Sequence, residues 1–295
     1  MLKKIRKNIR RLFKKETEPF LGYKYFCKAS FPLTPSGSGT STLEKGSLNK
    51  FVWQMWWQGE NEAPLITKNC MDSVKRFLPK DYKYVLITKD NISDYLTIPS
   101  FIQEKLNKGI SFTHFSDYVR ASLLHKFGGI WIDSTCFLSS PIPDEILHSE
   151  LFYFQSETFY LNSKLPSENL LDLHLKTPLL KATYHTGSSW FIVAKANNHL
   201  LSVTKSLLEH YWQIESKLVD YFLFHCAITY AVLHDEKCGD IFLSMPKYSN
   251  IPPHLLQFSI SKKNEISSEV LNNCFIHKLT YKKDYPESLV NQLFN

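Results

Sequence analysis

Apolar positions along the chain recur with two different periods. Residues 51–57 (FVWQMWW) and 83–88 are short, apolar and rich in aromatic or β-branched side chains, which predicts strands. Between them, 64–77 carries apolar residues at helical spacing behind a proline suited to a first turn. A further helix is predicted at 100–108, a short apolar piece at 110–112, and a helix over 114–127 whose inward face is Phe115, Tyr118, Val119, Ser122, Leu123 and Phe127. Gly128 and Gly129 stop that helix, because glycine takes the left-handed cap without a Cβ penalty. Strands at 130–133, 151–155 and 189–194 follow, then two long helices at 198–216 and 218–234. The remainder reads mostly as loop, with one short strand within 270–281. Alternating strands and helices predict an α/β sheet domain.

The chain opens differently. Leu2, Ile5, Ile9 and Leu12, with Phe13 beside the last, fall on one helical face, and the other faces hold Lys3, Lys4, Arg6, Lys7, Arg10, Arg11, Lys14 and Lys15. Residues 1–16 therefore read as a basic amphipathic helix or tail, and residues 1–15 as a candidate contact with an anionic membrane surface. A solvated basic tail and a nucleic-acid-binding arm are the alternatives, but no motif in the body resembles a nucleic-acid-binding module, so no nucleic-acid partner is expected. Residues 17–48 read as a connector, partly flexible, because 32–47 (PLTPSGSGTSTLEKGS) is rich in Pro, Ser, Thr and Gly and lacks an apolar period. The folded domain is expected over 49–295.

Composition narrows the class. A chain of 295 residues that is 43% hydrophobic with only 10 Gly is neither collagen-like nor wholly disordered. The net charge of +7 resides in the opening segment, since removing its eight cations leaves 27 basic against 28 acidic residues. Six cysteines without a C-x-x-C pair fit reduced thiols and a cytoplasmic protein. The most apolar stretch, 218–233, is interrupted by Asp220, His225 and Thr229 and is shorter than the ~20 residues a membrane span needs, so it reads as a core helix. The start of the chain lacks the apolar region and cleavage site of a secretory signal.

The segment 115–137, FSDYVRASLLHKFGGIWIDSTCF, combines a helix, a double-glycine stop and an apolar strand ending in a carboxylate. Ligands of open α/β sheets bind beyond the carboxyl ends of the strands, where Asp133, Ser134 and Thr135 would lie. A carboxylate there is a candidate ligand for a divalent cation, and such a cation bridges and neutralises a nucleoside diphosphate. Asp117 and Arg120, three residues apart, share a helical face, which suits either a crevice or an ordinary surface ion pair. Asp220 starts an apolar helix and is open to two roles, a first-turn cap or an acid that orients or deprotonates an attacking hydroxyl.

The run S-D-x-x-R followed by G-G-I-W-I-D resembles the signature of GT-A-type sugar-nucleotide glycosyltransferases, specifically the capsular polysaccharide synthesis branch of glycosyltransferase family 32. FVWQMWWQGENEAP, SSWFIVAK, LVDYFLFH, IPPHLL and IHKLTYK resemble that branch in the same order. The resemblance implies a GT-A-like domain with a mixed central sheet flanked by helices. It further implies transfer of a hexose or N-acetylhexosamine from a UDP-sugar to a hydroxyl of a growing bacterial surface polysaccharide, with retention of configuration. The acceptor would be lipid-linked and the enzyme peripheral at the inner face of the cell membrane. Trp56 would stack on the uracil, with Gln54 and Trp57 completing the pocket. Asp117 and Arg120 would hold the sugar and ribose hydroxyls, and Ser188 and Ser189 would reach the donor sugar. Asp133, with Thr135 and His277, would hold Mn²⁺ or Mg²⁺, and Lys278 would meet the leaving phosphate. Thr135 departs from the D-x-D pattern of the wider family, which weakens the expected metal site. A membrane-associated assembly protein that keeps the fold without the chemistry is the alternative.

Overall fold

A computed structural model describes residues 21–35, 50–156, 185–263, 266, 268–283 and 285–294. Helix α1 (Leu21–Ala29) is followed by β1 (Phe51–Met55), a single 3-10 turn at Glu60–Glu62, α2 (Leu65–Phe77), β2 (Lys83–Ile87), α3 (Ile92–Tyr95), α4 (Ser100–Asn107) and α5 (Phe112–Phe127). Strands β3 (Gly129–Ile132) and β4 (Cys136–Leu138), helix α6 (Asp144–Leu147), then β5 (Leu151–Gln155) and β6 (Gly187–Ala194) complete the sheet elements of the centre. The last part holds α7 (His199–Ile214), α8 (Leu223–His234), α9 (Glu236–Ser244), α10 (Pro252–Lys263), α11 (Ser268–Asn272), β7 (Ile276–Lys278) and α12 (Glu287–Phe294).

The central sheet is mixed, in the order β2-β1-β3-β6-β5. Strands β1, β2 and β3 run parallel, while β6 is antiparallel to both β3 and β5. Strand alternation sends Trp53, Trp131, Tyr153 and Ile192 into one core with α5, α7 and α8, and Val52, Ile130, Ile132 and Val193 into a second core on the other face. Both faces are thus covered, which is why β3 is buried at every position and reads as an unbroken apolar run. This is the mixed, helix-flanked α/β sheet expected. A two-stranded antiparallel ribbon, β4 with β7, stands beside it.

Specific contacts explain three boundaries. The Ser111 hydroxyl accepts from the His114 amide and starts α5 two residues earlier than its periodicity suggests, absorbing part of the apolar piece at 110–112. Gly128 ends the helix at φ 66°, and a Cβ there would lie 2.6 Å from the Ala196 nitrogen, so only glycine admits this approach to the chain after β6. Helix α8 begins at Leu223 rather than near 218, because the Tyr211 hydroxyl accepts from the Val219 amide and Asp220 accepts from the Phe222 amide, holding 217–222 out of the helix.

Two expectations change. The stretch after residue 234 is largely helical rather than loop: Asp235 caps α9 by accepting from the Cys238 amide (2.8 Å), and Leu256 and Ile260, one turn apart, seat α10 in a small third core. Within the expected connector, α1 folds against α8, where buried Phe26 stacks on Tyr230 with ring centroids 5.8 Å apart. Residues 1–16 and the Ser/Gly-rich stretch from 36 lie outside the described residues. Among the described residues no helix is long and apolar enough to cross a membrane.

Candidate functional site

The carboxyl ends of β1 and β3 meet a tight turn. The Asp133 amide still donates to the Trp190 carbonyl of β6 (2.8 Å), and the Cys136 amide donates back to the Asp133 carbonyl (2.9 Å). Two side-chain bonds tie this turn to the end of β1: Gln54 Nε2 donates to the Asp133 carbonyl (3.3 Å), and the Ser134 hydroxyl donates to the Met55 carbonyl (2.8 Å). The ribbon then delivers Lys278, which pairs with Cys136 while the Leu279 amide donates to the Thr135 carbonyl (2.9 Å). Helix α5 supplies Asp117 and Arg120 from the other side.

These elements assemble four charged groups. Asp133 Oδ1 accepts from Trp131 Nε1 (2.9 Å) and Arg120 Nη2 (3.2 Å), and Oδ2 faces Lys278 Nζ at 3.2 Å. Lys278 also donates to the Thr135 hydroxyl at 2.5 Å. Arg120 is almost wholly buried; Nη1 donates to the Ser189 carbonyl (2.8 Å) and lies 3.4 Å from Asp117 Oδ1, Nη2 donates to the Ser116 hydroxyl, and the guanidinium lies over Trp131 and Phe224. Burial pushes the Asp133 carboxyl up, but Lys278, Arg120 and the Trp131 indole outweigh it and hold the group below its ordinary value. Burial draws the Lys278 ammonium down, and Asp133 more than restores it. Asp117 differs: burial raises it to about 7 against the opposing pull of Arg120, with Asp133 adding repulsion.

The site residues expected from the sequence therefore separate into groups. Asp117, Arg120, Asp133, Thr135 and Lys278 come together. Gln54 and Ser134 act on the scaffold, Gln54 also accepting from the Tyr84 hydroxyl (2.9 Å). Trp56 stands half-buried at the end of β1, edge-on to Tyr281 with centroids 5.4 Å apart, and its indole nitrogen has no hydrogen-bond partner among the described residues. Trp57 turns the other way and packs on Phe112 and Phe115. Ser189 meets the cluster through its carbonyl, while the Ser188 hydroxyl accepts from Asn250 (3.2 Å).

His277 and Asp220 stand elsewhere. Strand alternation turns His277 away from Lys278, into full burial against Phe137 and within 3.1 Å of the Ser139 hydroxyl. Asp220 accepts from the Gly22 amide (3.0 Å) through Oδ2 and from the Phe222 amide (2.9 Å) through Oδ1, tying α1 to the start of α8. Trp131, whose indole holds Asp133, and His225 escaped the sequence reading. His225 of α8 has its Nδ1 buried without a partner among the described residues, and burial together with the Arg120 charge lowers it to about 3, so it is neutral at physiological pH. Its place within an apolar helix made it read as core.

The donor set for a divalent cation is already engaged. Both oxygens of Asp133 face cationic or N–H donors, Thr135 accepts from Lys278, and His277 is turned away. An ion between Asp133 and Thr135 would have to displace the Lys278 ammonium, so these residues do not fit a cation site. The trio His199, Asp235 and Cys238 also gathers ligand atoms within 4.8 Å, but the Asp235 cap on α9 accounts for that grouping.

A buried Arg, a partly exposed Lys and a carboxylate at the ends of parallel strands suit an anionic ligand with hydroxyls. The sequence comparisons lead to the same class of chemistry. Residues 34–295 match the family model described as capsular polysaccharide synthesis protein. The chain belongs to that family. Over 106 residues the chain is also 33% identical to the O-glycosyltransferase braB of Annulohypoxylon truncatum. That match covers 32% of the chain and 25% of the relative, so the chain spans about a quarter of the curated protein it matches.

Proposed function

We propose that this family member is a nucleotide-sugar-dependent hexosyltransferase, moving a hexose or N-acetylhexosamine from a UDP-sugar to a hydroxyl of a growing bacterial capsular or surface polysaccharide, with retention. The observation that carries the reading is the convergence of Arg120, Asp133 and Lys278 at the carboxyl ends of β1 and β3, with Trp56 at the same end of β1. In the reaction the bond from the anomeric carbon to the diphosphate breaks with its electron pair left on the phosphate oxygen. The acceptor oxygen bonds the anomeric carbon, and its proton passes to the released phosphate. Lys278 is placed to stabilise the charge developing on the diphosphate, and a preorganised donor of this kind contributes most in a site partly screened from water. Trp56 offers a flat apolar face for the uracil, Asp117 offers an acceptor for a hydroxyl, and Arg120, whose Nη groups are engaged, holds Asp133 and Asp117 in position. Residues 1–15 would hold the enzyme against anionic lipid, where a lipid-linked acceptor is met in two dimensions.

A melting series with UDP, GDP and ADP tests the donor reading. UDP at a hundred times its dissociation constant should raise the melting temperature by ~5 °C in a chain of this size, and Trp56→Ala should abolish the rise. No shift with any nucleoside diphosphate would refute the reading and favour a non-catalytic assembly protein on the same fold.

A further inference from the structure

We propose that Lys278 takes the place of the divalent cation, so that this protein binds its nucleoside diphosphate without a metal. The inference rests on the donor reading above and concerns how that site meets the diphosphate.

The ammonium of Lys278 lies between the first and third positions of the D-x-T turn, within 3.2 Å of Asp133 Oδ2 and hydrogen-bonded to Thr135 Oγ1. Charge counting explains the pairing. Two carboxylates across such a turn would supply two anionic ligands to a divalent cation; here the third position is a neutral hydroxyl, and the ammonium occupies the place between it and the one carboxylate. The second oxygen of Asp133 already accepts from Arg120 and Trp131. Backbone pairing fixes the lysine, because residue 278 lies opposite Cys136 in the ribbon and the next amide donates to Thr135. Asp133 and Thr135 engage two of its three N–H donors; the third is available to a phosphate oxygen, and the side chain is 21% exposed. Lysine binds phosphate as a point charge, the property needed to substitute for an ion. His277, the other candidate ligand, lies on the opposite face of β7.

Calorimetric titration of the full chain with UDP, in EDTA and separately in excess MnCl₂, tests this directly. The account expects binding in EDTA at least as tight as in excess MnCl₂, which sequesters UDP as its manganese complex, and binding weakened by at least about tenfold in Lys278→Ala, with Lys278→Arg retaining part of the affinity. Electron paramagnetic resonance of Mn²⁺ with UDP should give the same Mn²⁺–UDP spectrum with and without the wild-type chain. Binding that collapses in EDTA, or a Mn²⁺ signal that arises only when the chain is present, overturns the metal-free inference and leaves the donor reading standing. Absence of UDP binding in every wild-type arm overturns both. The EDTA comparison needs no variant, so a poorly folded Lys278→Ala leaves the decision intact.

Discussion

Replacing Arg120 with methionine keeps the aliphatic stem and removes the charge that Asp117 and Asp133 share. Arg120 is 3% exposed, its guanidinium lies within 3.4 Å of both carboxylates, and its Nη1 satisfies the Ser189 carbonyl. Removing one member of a buried ionic group costs ~3–5 kcal/mol, because the partners are left desolvated and unpaired. Asp117, already raised to about 7, can shed its charge by taking a proton. Asp133 keeps Lys278 as a counterion. Both reliefs place the expected loss toward ~3 kcal/mol, or roughly 6 °C in melting temperature for a chain of this length. Thermal melts at neutral pH, repeated with urea, measure it. The double variant Arg120→Met/Asp117→Asn should melt close to Arg120→Met at neutral pH, since Asp117 without the arginine has already taken its proton. An Arg120→Met protein that melts within about 2 °C of wild type would refute the claim that this arginine organises a desolvated cluster.

The account makes two further predictions. Asp220→Ala removes the acceptor of the part-buried Gly22 amide and of the exposed Phe222 amide and should destabilise the protein by ~1 kcal/mol while leaving donor turnover within about twofold; a fall in turnover of ~100-fold at unchanged stability would instead make Asp220 the acid or base of the reaction. Asp117 has a folded-state value of about 7 against 3.8 when unperturbed, so folded protein holds a proton that unfolded chain has released; its contribution to stability is whole below about pH 4 and lost as pH rises through about 7. The stability of Asp117→Asn relative to wild type should therefore climb between those limits, by up to ~1.4 kcal/mol per pH unit, and a flat difference would contradict the assigned burial.

What the sequence reveals depends on how far apart the cooperating residues lie. The stop at Gly128 and the run ending in Asp133 are local, so helix, strand and carboxylate are legible together, and with them the pairing of Asp117 and Arg120. Lys278 is different. Its meeting with Asp133 depends on two three-residue strands more than a hundred positions apart, each too short to show a period. The choice between His277 and Lys278 depends on register alone, because a slip of one residue would exchange their faces. Asp220 is ambiguous in sequence because its partner Gly22 lies 198 residues away, on a helix hidden in what reads as connector. Trp56 and Trp57 part company for a similar reason: β1 ends at Met55, and the turn after it sends one ring toward Tyr281 and the other into the core.

The central claim is that the Arg120, Asp133 and Lys278 cluster handles a sugar nucleotide, and turnover tests it most directly. UDP release should be followed with a panel of UDP-sugars, with and without a glycan acceptor extract, for wild type, Asp133→Ala and Lys278→Ala, each shown to be folded by its melt. The account predicts release by wild type with at least one donor and a loss of at least ~100-fold in both variants. Turnover that survives either substitution in a folded protein would place the donor elsewhere and contradict the account.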